Sequence, residues 1–192
     1  MPGLHTNTEY LAESAFTQAL DNIRRQDMHQ SVMEYVQGVA NATPNYPNQS
    51  VLEVGSFDVN GSVRRIFAGL PYIGVDIRPG PGVDRLILPE DKWGEDFQVG
   101  IVVSTEMLEH DRDPWWSVQQ MYSALVLGGS LILTCRGYDE RGCFPIHDHP
   151  GDLWRFSVDG VKVMLESVGF FVLDCRRDPA APGVFAHALK AV

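Results

Sequence analysis

Cysteine, basic charge and long apolar runs are what this chain has least of. Its three cysteines, Cys135, Cys143 and Cys175, are odd in number and lack metal-type spacing. That argues against a disulfide framework and against a thiolate metal site. Cys135 and Cys175 lie in apolar runs and read as buried thiols in a reducing setting. Lys and Arg together number 15 against 25 Asp and Glu, for a formal net charge of −10 and a pI near 4.9. A general grip on nucleic-acid phosphates needs a basic surface, so that class of function is disfavoured. The adjacent pairs Arg24-Arg25, Arg64-Arg65 and Arg176-Arg177 read as solvated surface charge. No apolar run approaches membrane-spanning length, and no secretory signal opens the chain. A cytoplasmic protein without a membrane partner is the expectation. Internal repeats and low-complexity tracts are also missing.

What is present is enough apolar material for a substantial core, 44% of 192 residues. The chain is organised around VLEVGSFDVNG at 51–61. Its start is apolar and β-branched, and it reaches glycine at Gly55. Beyond Gly61 the pattern turns helical, with Ser62 as a cap and Val63, Ile66, Phe67 and Leu70 on one face. Strand, glycine turn and helix form the unit that binds nucleotide-like cofactors in doubly wound α/β proteins. Asp76 ends the next apolar run, about where an acid would hydrogen-bond a ribose. Glu53 sits inside the first strand. It would repel a pyrophosphate, which the helix N-terminus otherwise welcomes, and attract a ligand carrying ammonium and sulfonium groups. The dinucleotide pattern G-x-G-x-x-G is absent. Glu53, Gly55 and Asp76 together therefore point to S-adenosylmethionine; the alternative is that Glu53 is a solvent-facing acid at a strand end.

Before this core, Ala12, Ala15, Phe16, Ala19, Leu20 and Ile23 keep helical spacing, as do Met28, Val32, Tyr35, Val36 and Val39. A Pro- and Asn-rich loop at 41–50 follows. Residues 1–50 thus read as a helical extension, suited to lidding a cofactor, walling a substrate or building a homodimer, and residues 51–192 as the cofactor-binding domain. After the second strand, PGPG at 79–82 makes a sharp loop, with a short strand expected near 83–88. The run at 99–103 is a further strand ending in Ser104, Thr105 and Glu106, at the edge where open parallel sheets bind ligands. Asp113-Pro114 starts a helix, with Val118, Met121, Tyr122 and Leu125 inward and Gly128-Gly129 as its stop. A strand at 130–135 leads into a long loop at 136–152. Ser157 caps a helix ended by Gly169, and two strands close the chain. The alternation predicts a doubly wound α/β fold.

With these segments in place, the chain resembles the class I S-adenosylmethionine-dependent methyltransferases, in particular small bacterial and phage-type methyltransferase domains. The matching residues are VLEVGS (51–56), YIGVDIRPGPGVD (72–84), STEMLEHDRDPW (104–115), LVLGGSLILTCRG (125–137) and HDHPGDLWRFS (147–157). The resemblance implies a seven-stranded, mostly parallel Rossmann-like sheet with the last strand antiparallel. It implies that Glu53, Gly55 and Ser56 hold the methionine end of S-adenosylmethionine, and that Asp76 and Ile77 hold ribose and adenine. Ser104, Thr105 and Glu106 would border the sulfonium side. Relatives carry an acid-alanine pair before a Leu-Pro. Here the segment is VDRLILPEDKW, so Asp84 either takes the adenine role or belongs to the GPGVD loop.

Methyl transfer to oxygen can require a general base, and His110, His147 and His149 are the candidates because histidine titrates near neutrality. Each could instead be bonded to loop backbone. Arg136, Tyr138, Asp148, Asp152 and Arg155 are candidate acceptor-pocket residues. H-x-H with nearby acids is a weak metal pattern, and no metal is expected. The leading expectation is methyl transfer to a small-molecule hydroxyl of a sugar, glycan precursor or other metabolite. The competing expectation is a cofactor-binding partner subunit without catalysis. Nucleic-acid methylation ranks below both, since STEM stands where many amino-group DNA methyltransferases carry an NPPY-type tetrapeptide.

Overall fold

The β-branched run at the centre of the chain forms a strand with both faces covered, as parallel strands require. In the computed structural model, residues 30–42, 48–59, 61–138 and 151–191 are described. Strand β1 (Val51–Val54) is buried throughout. It pairs in parallel with β2 (Tyr72–Asp76) on one side and β4 (Val99–Thr105) on the other. The whole is a seven-stranded sheet in the order β3-β2-β1-β4-β5-β7-β6. Here β3 is Arg85–Leu86, β5 is Leu125–Arg136, β6 is Phe170–Arg177 and β7 is Gly183–Lys190. Only β7 runs antiparallel to its neighbours β5 and β6. The expected doubly wound sheet with an antiparallel last strand is therefore what the chain forms.

Alternation along the strands divides the core into two layers. Leu52 and Val54 point into a layer closed by α2 (Pro114–Ala124) and α3 (Val158–Val168), through Val118, Met121, Val161, Met164 and Leu165. Val51, Ile101, Val103, Ile132 and Phe185 point the other way. There they meet α1, residues 30–42, through Val32, Met33, Tyr35 and Val36. The Tyr35 and Phe185 rings stack at 4.5 Å. Ser31 at the start of α1 donates to Asp178 Oδ2 at 2.8 Å. The second of the two expected N-terminal helices thus forms part of the main core; the first lies outside the described residues.

The caps of the later helices are as expected. Asp113 accepts from Trp116 N ahead of Pro114, and Ser157 accepts from Gly160 N. Gly169 closes α3 at φ +113°. Two expectations are corrected. The helix after the glycine turn is only a five-residue 3-10 segment, Val63–Phe67, although Ser62 caps it through Arg64 N. Backbone at Ala68 is already extended, with ψ 129°, and Gly69 turns at φ +93°, so the apolar spacing does not continue as a helix to Leu70. Gly128-Gly129 does not stop α2, which ends at Ala124; both glycines lie inside β5. They fall in a register shift between the Val99–Leu125 and Ile101–Ser130 pairs, where Gly128 takes φ +76°. Among the described residues, no helix is long and apolar enough to cross a membrane.

Candidate active site

The C-terminal ends of β1, β2, β4 and β5 share one edge of the sheet, where a doubly wound fold presents its ligand crevice. The chain leaves β1 through Gly55 at φ +81°, a conformation other residues adopt with strain. A Cβ there would also run into the Met107 side chain, which follows β4. Glycine thus lets the first turn pass under the end of the neighbouring strand.

Glu53 lies just inside this turn and is only 4% exposed. Tyr72 Oη donates to its Oε2 at 2.9 Å. Burial pushes the carboxyl up to about 7; the Tyr72 hydrogen bond and the Arg64 guanidinium act in the opposite sense. Ser56 is buried too, and its hydroxyl has no hydrogen-bond partner among the described residues. Asp76 accepts from Phe57 N at 3.2 Å and Arg78 N at 3.0 Å, so it ties the end of β2 to the glycine turn. Ile77, next to it, is exposed at the edge. Asp84 is turned elsewhere. Its Oδ2 accepts from Gly74 N at 2.7 Å, in the middle of β2, and from Arg64 Nη2 at 2.8 Å. Its pKa is lowered: partial burial opposes ionisation, but the Gly74 N–H and Arg64 outweigh it. Ser104 is fully buried, and its hydroxyl donates to Val54 O at 2.9 Å, stitching β4 to β1. Thr105 is half-buried.

The second group collects beyond β4 and β5. Glu106 follows β4 at φ +50°, a conformation uncommon for a residue with a side chain. It accepts from Thr134 Oγ1 at 3.0 Å and pairs with Arg136 Nε at 2.9 Å. Glu109, which the sequence reading passed over, stands on the other side of Arg136 with Oε1 at 4.0 Å from Nε. It is 1% exposed, and neither of its oxygens makes a well-formed hydrogen bond among the described residues. Burial first, and the nearby Glu106 second, hold its pKa well above the usual carboxylate range. Burial also raises Glu106, partly offset by Arg136. The one signal for Glu109 was a second acid three positions after Glu106, within a turn of helix.

The chain returns to this edge at residues 151–156. Glu109 O accepts from Leu153 N at 2.7 Å and Trp154 N at 3.1 Å, and Phe156 N donates to Arg136 O at 2.8 Å. These bonds set Asp152 between the His110 ring and the Arg155 guanidinium. His110 Nδ1 lies 3.1 Å from Asp152 Oδ1, and Arg155 Nη2 lies 2.5 Å from Asp152 Oδ2. Arg155 also donates to Trp154 O at 2.8 Å. Five predicted residues, Glu106, His110, Arg136, Asp152 and Arg155, are thus gathered from three separate stretches. Tyr138 follows the same strand end and is partly exposed. His147, Asp148 and His149 lie outside the described residues. Among the described residues no group of His, Cys, Asp and Glu is placed to hold a metal ion.

Solved structures with this architecture cover nearly the full chain. One is the 1,6-didemethyltoxoflavin-N1-methyltransferase of Burkholderia thailandensis, with bound 1,6-didemethyltoxoflavin and S-adenosylhomocysteine. It is 18% identical, covers 100% of this chain and 93% of its own, and gives a TM-score of 0.66. Another is the magnesium protoporphyrin IX methyltransferase of Synechocystis PCC 6803 with bound SAH, at 14% identity, 100% and 90% coverage and a TM-score of 0.64. The fold is that of the class I S-adenosylmethionine-dependent methyltransferases. A third match, the cyclase SpnF, has 14% identity, 83% and 82% coverage and a TM-score of 0.65. A methyltransferase fold thus fixes the crevice and its edge, and leaves the reaction to the residues along it. No family model matches the chain, and no curated protein sequence matches it.

Proposed function

We propose that the protein binds S-adenosylmethionine and transfers its methyl group to a small-molecule acceptor, a hydroxyl of a sugar, glycan precursor or other metabolite. The observation that carries this reading is Glu53, a carboxylate buried beside the glycine turn of a methyltransferase fold. It suits an ammonium and opposes a pyrophosphate. The following helix is five residues long, so it offers a phosphate little macrodipole. The rest of the crevice fits the same cofactor. Asp76 retains acceptor capacity for ribose hydroxyls, Ile77 is an exposed apolar surface for adenine, and the unpartnered Ser56 hydroxyl suits a polar group near the turn. Asp84 is the weakest of the cofactor candidates, since Arg64 and Gly74 already claim it.

Bound S-adenosylmethionine supplies a methyl carbon already attached to a cationic sulfur. The protein then has to align the acceptor and exclude water, and orientation contributes about 7–11 kcal/mol. His110 is the candidate general base. Asp152 against Nδ1 orients the ring and stabilises the imidazolium formed when it takes the acceptor's proton. Arg155 and Arg136 keep the surrounding acids in place. The net charge of −10 favours a small acceptor over a polynucleotide.

The test is calorimetric titration with S-adenosylhomocysteine and, separately, with NAD. Binding of the first alone supports the reading, and preferential binding of NAD overturns it. A second reading, a cofactor-binding partner subunit without catalysis, draws on the occurrence of the same fold in a protein named a cyclase rather than a methyltransferase. Tight S-adenosylhomocysteine binding with no turnover across a broad acceptor panel would select it.

A further inference from the structure

Tyr72 was given no role in the crevice by the sequence, yet its phenol hydrogen-bonds the acid on which the cofactor reading rests. Its position on β2 is two residues before Gly74, the register partner of Glu53, so its side chain emerges on the same sheet face as that carboxylate. The phenol oxygen donates to Glu53 Oε2 at 2.9 Å. The ring cannot easily turn away. Phe67 packs against it at 6.0 Å between centroids, and the Arg64 guanidinium lies over it at 4.8 Å. Arg64 is itself anchored, by Asp84 at 2.8 Å and by Tyr72 O at 3.3 Å. Asp84, Arg64, Tyr72 and Glu53 therefore form one connected chain running from the loop before β3 to the end of β1.

We propose that Tyr72 is a positioning residue for the cofactor site: its phenol fixes the rotamer of the buried Glu53 and favours its ionised form, with one oxygen left to receive a ligand ammonium. This deepens the proposed function and rests on its reading of Glu53. The physical reason is that a buried carboxylate without a donor prefers its neutral form. Burial, opposed by the Tyr72 hydrogen bond and Arg64, leaves Glu53 at about 7, where the loss of that hydrogen bond would shift its charge at neutral pH. The phenol is a steady donor, since burial and the adjacent Glu53 raise its own pKa. The other charges facing Glu53 are Arg64, which favours ionisation, and Asp58 and Asp84, which oppose it.

The experiment follows the Glu53 carboxyl by carbon-13 NMR in the cofactor-free protein, wild type against Tyr72→Phe, and then measures S-adenosylhomocysteine affinity from pH 6 to 9. Phenylalanine keeps the ring contacts, and thermal melts verify the fold. The Glu53 midpoint is expected to rise by about one pH unit. Affinity should fall about fivefold at pH 7 and recover by pH 9, following the ionised fraction. A Glu53 midpoint unchanged by Tyr72→Phe overturns the inference. So does an affinity loss equal at every pH, which is what a merely structural tyrosine would give. Glu53→Gln separates the two ideas. If it binds S-adenosylhomocysteine as tightly as wild type, the ammonium reading of Glu53 fails, while the NMR midpoint still decides the role of Tyr72.

Discussion

The two halves of the crevice are built differently. On the proposed cofactor side, Glu53, Ser56 and Asp76 come from one continuous stretch, β1 through β2; Glu53 accepts from Tyr72 and Asp76 from backbone N–H groups, while the Ser56 hydroxyl has no partner among the described residues. On the far side, Glu106, Glu109, His110, Arg136, Asp152 and Arg155 come from three stretches and are held chiefly by one another. The first half is a local motif that parallel strands carry to the edge. The second is a charge network that exists only when β4, β5 and the 152–156 segment have docked. Ligand affinity should accordingly be sensitive to the first half, and both turnover and folding to the second.

The largest effect expected is on turnover. His110→Gln should lower kcat by about 10²–10⁴ while S-adenosylhomocysteine affinity stays within twofold. A variant with full kcat would remove the imidazole from the mechanism and blur the division between the halves. Next is Arg136→Met, which leaves Glu106 and the buried Glu109 without their shared cation. A loss of about 3 kcal/mol in denaturant unfolding is expected, with little change for the same test on exposed Arg78. Glu53→Ala and Asp76→Ala should each weaken cofactor affinity at least tenfold, about 1.4 kcal/mol, with small changes in melting temperature. Unchanged titration curves for both would defeat the assignment of the cofactor side.

The smallest effect concerns pH. Because the folded pKa of Glu109 is raised above its unfolded value, ionising it opposes folding. Below the unfolded pKa, about 4.3, both states hold the proton and no penalty exists. The penalty grows as pH rises from there toward the folded pKa. Glu109→Gln should therefore melt like wild type at pH 4 and above it at pH 8. Melting curves in which the variant gains nothing at high pH would mean that Arg136 already compensates Glu109.

The legible parts of the chain were those where one residue type answers one local requirement. Asp113 ahead of Pro114 and Ser157 ahead of α3 are caps whose hydrogen bonds form within the same turn. Gly55 is required by a positive φ. Other expectations failed where a neighbour outside the window decided. The apolar spacing of Val63, Ile66, Phe67 and Leu70 is helical, but the backbone turns extended at Ala68 and left-handed at Gly69. Gly128-Gly129 looks like a helix stop and is instead the register shift by which β5 fits β4. Asp84, by contrast, was legible only as a choice between an adenine role and the GPGVD loop, and its carboxylate accepts from Arg64 Nη2 and Gly74 N. Glu109 was hidden because an acid beside a histidine in a short turn looks like surface until β5 and the 152–156 segment close over it.

By itself, the amino-acid order determined the alternation of strands and helices, the glycine turn and the acid beside it, since hydrophobic period, caps and φ preferences act over a few residues. Only the tertiary structure decided which acids are buried, which cation they share, and that Tyr72 stands over Glu53. Burial and Coulomb energy depend on what surrounds a group in space, and residues distant along the chain supply those surroundings.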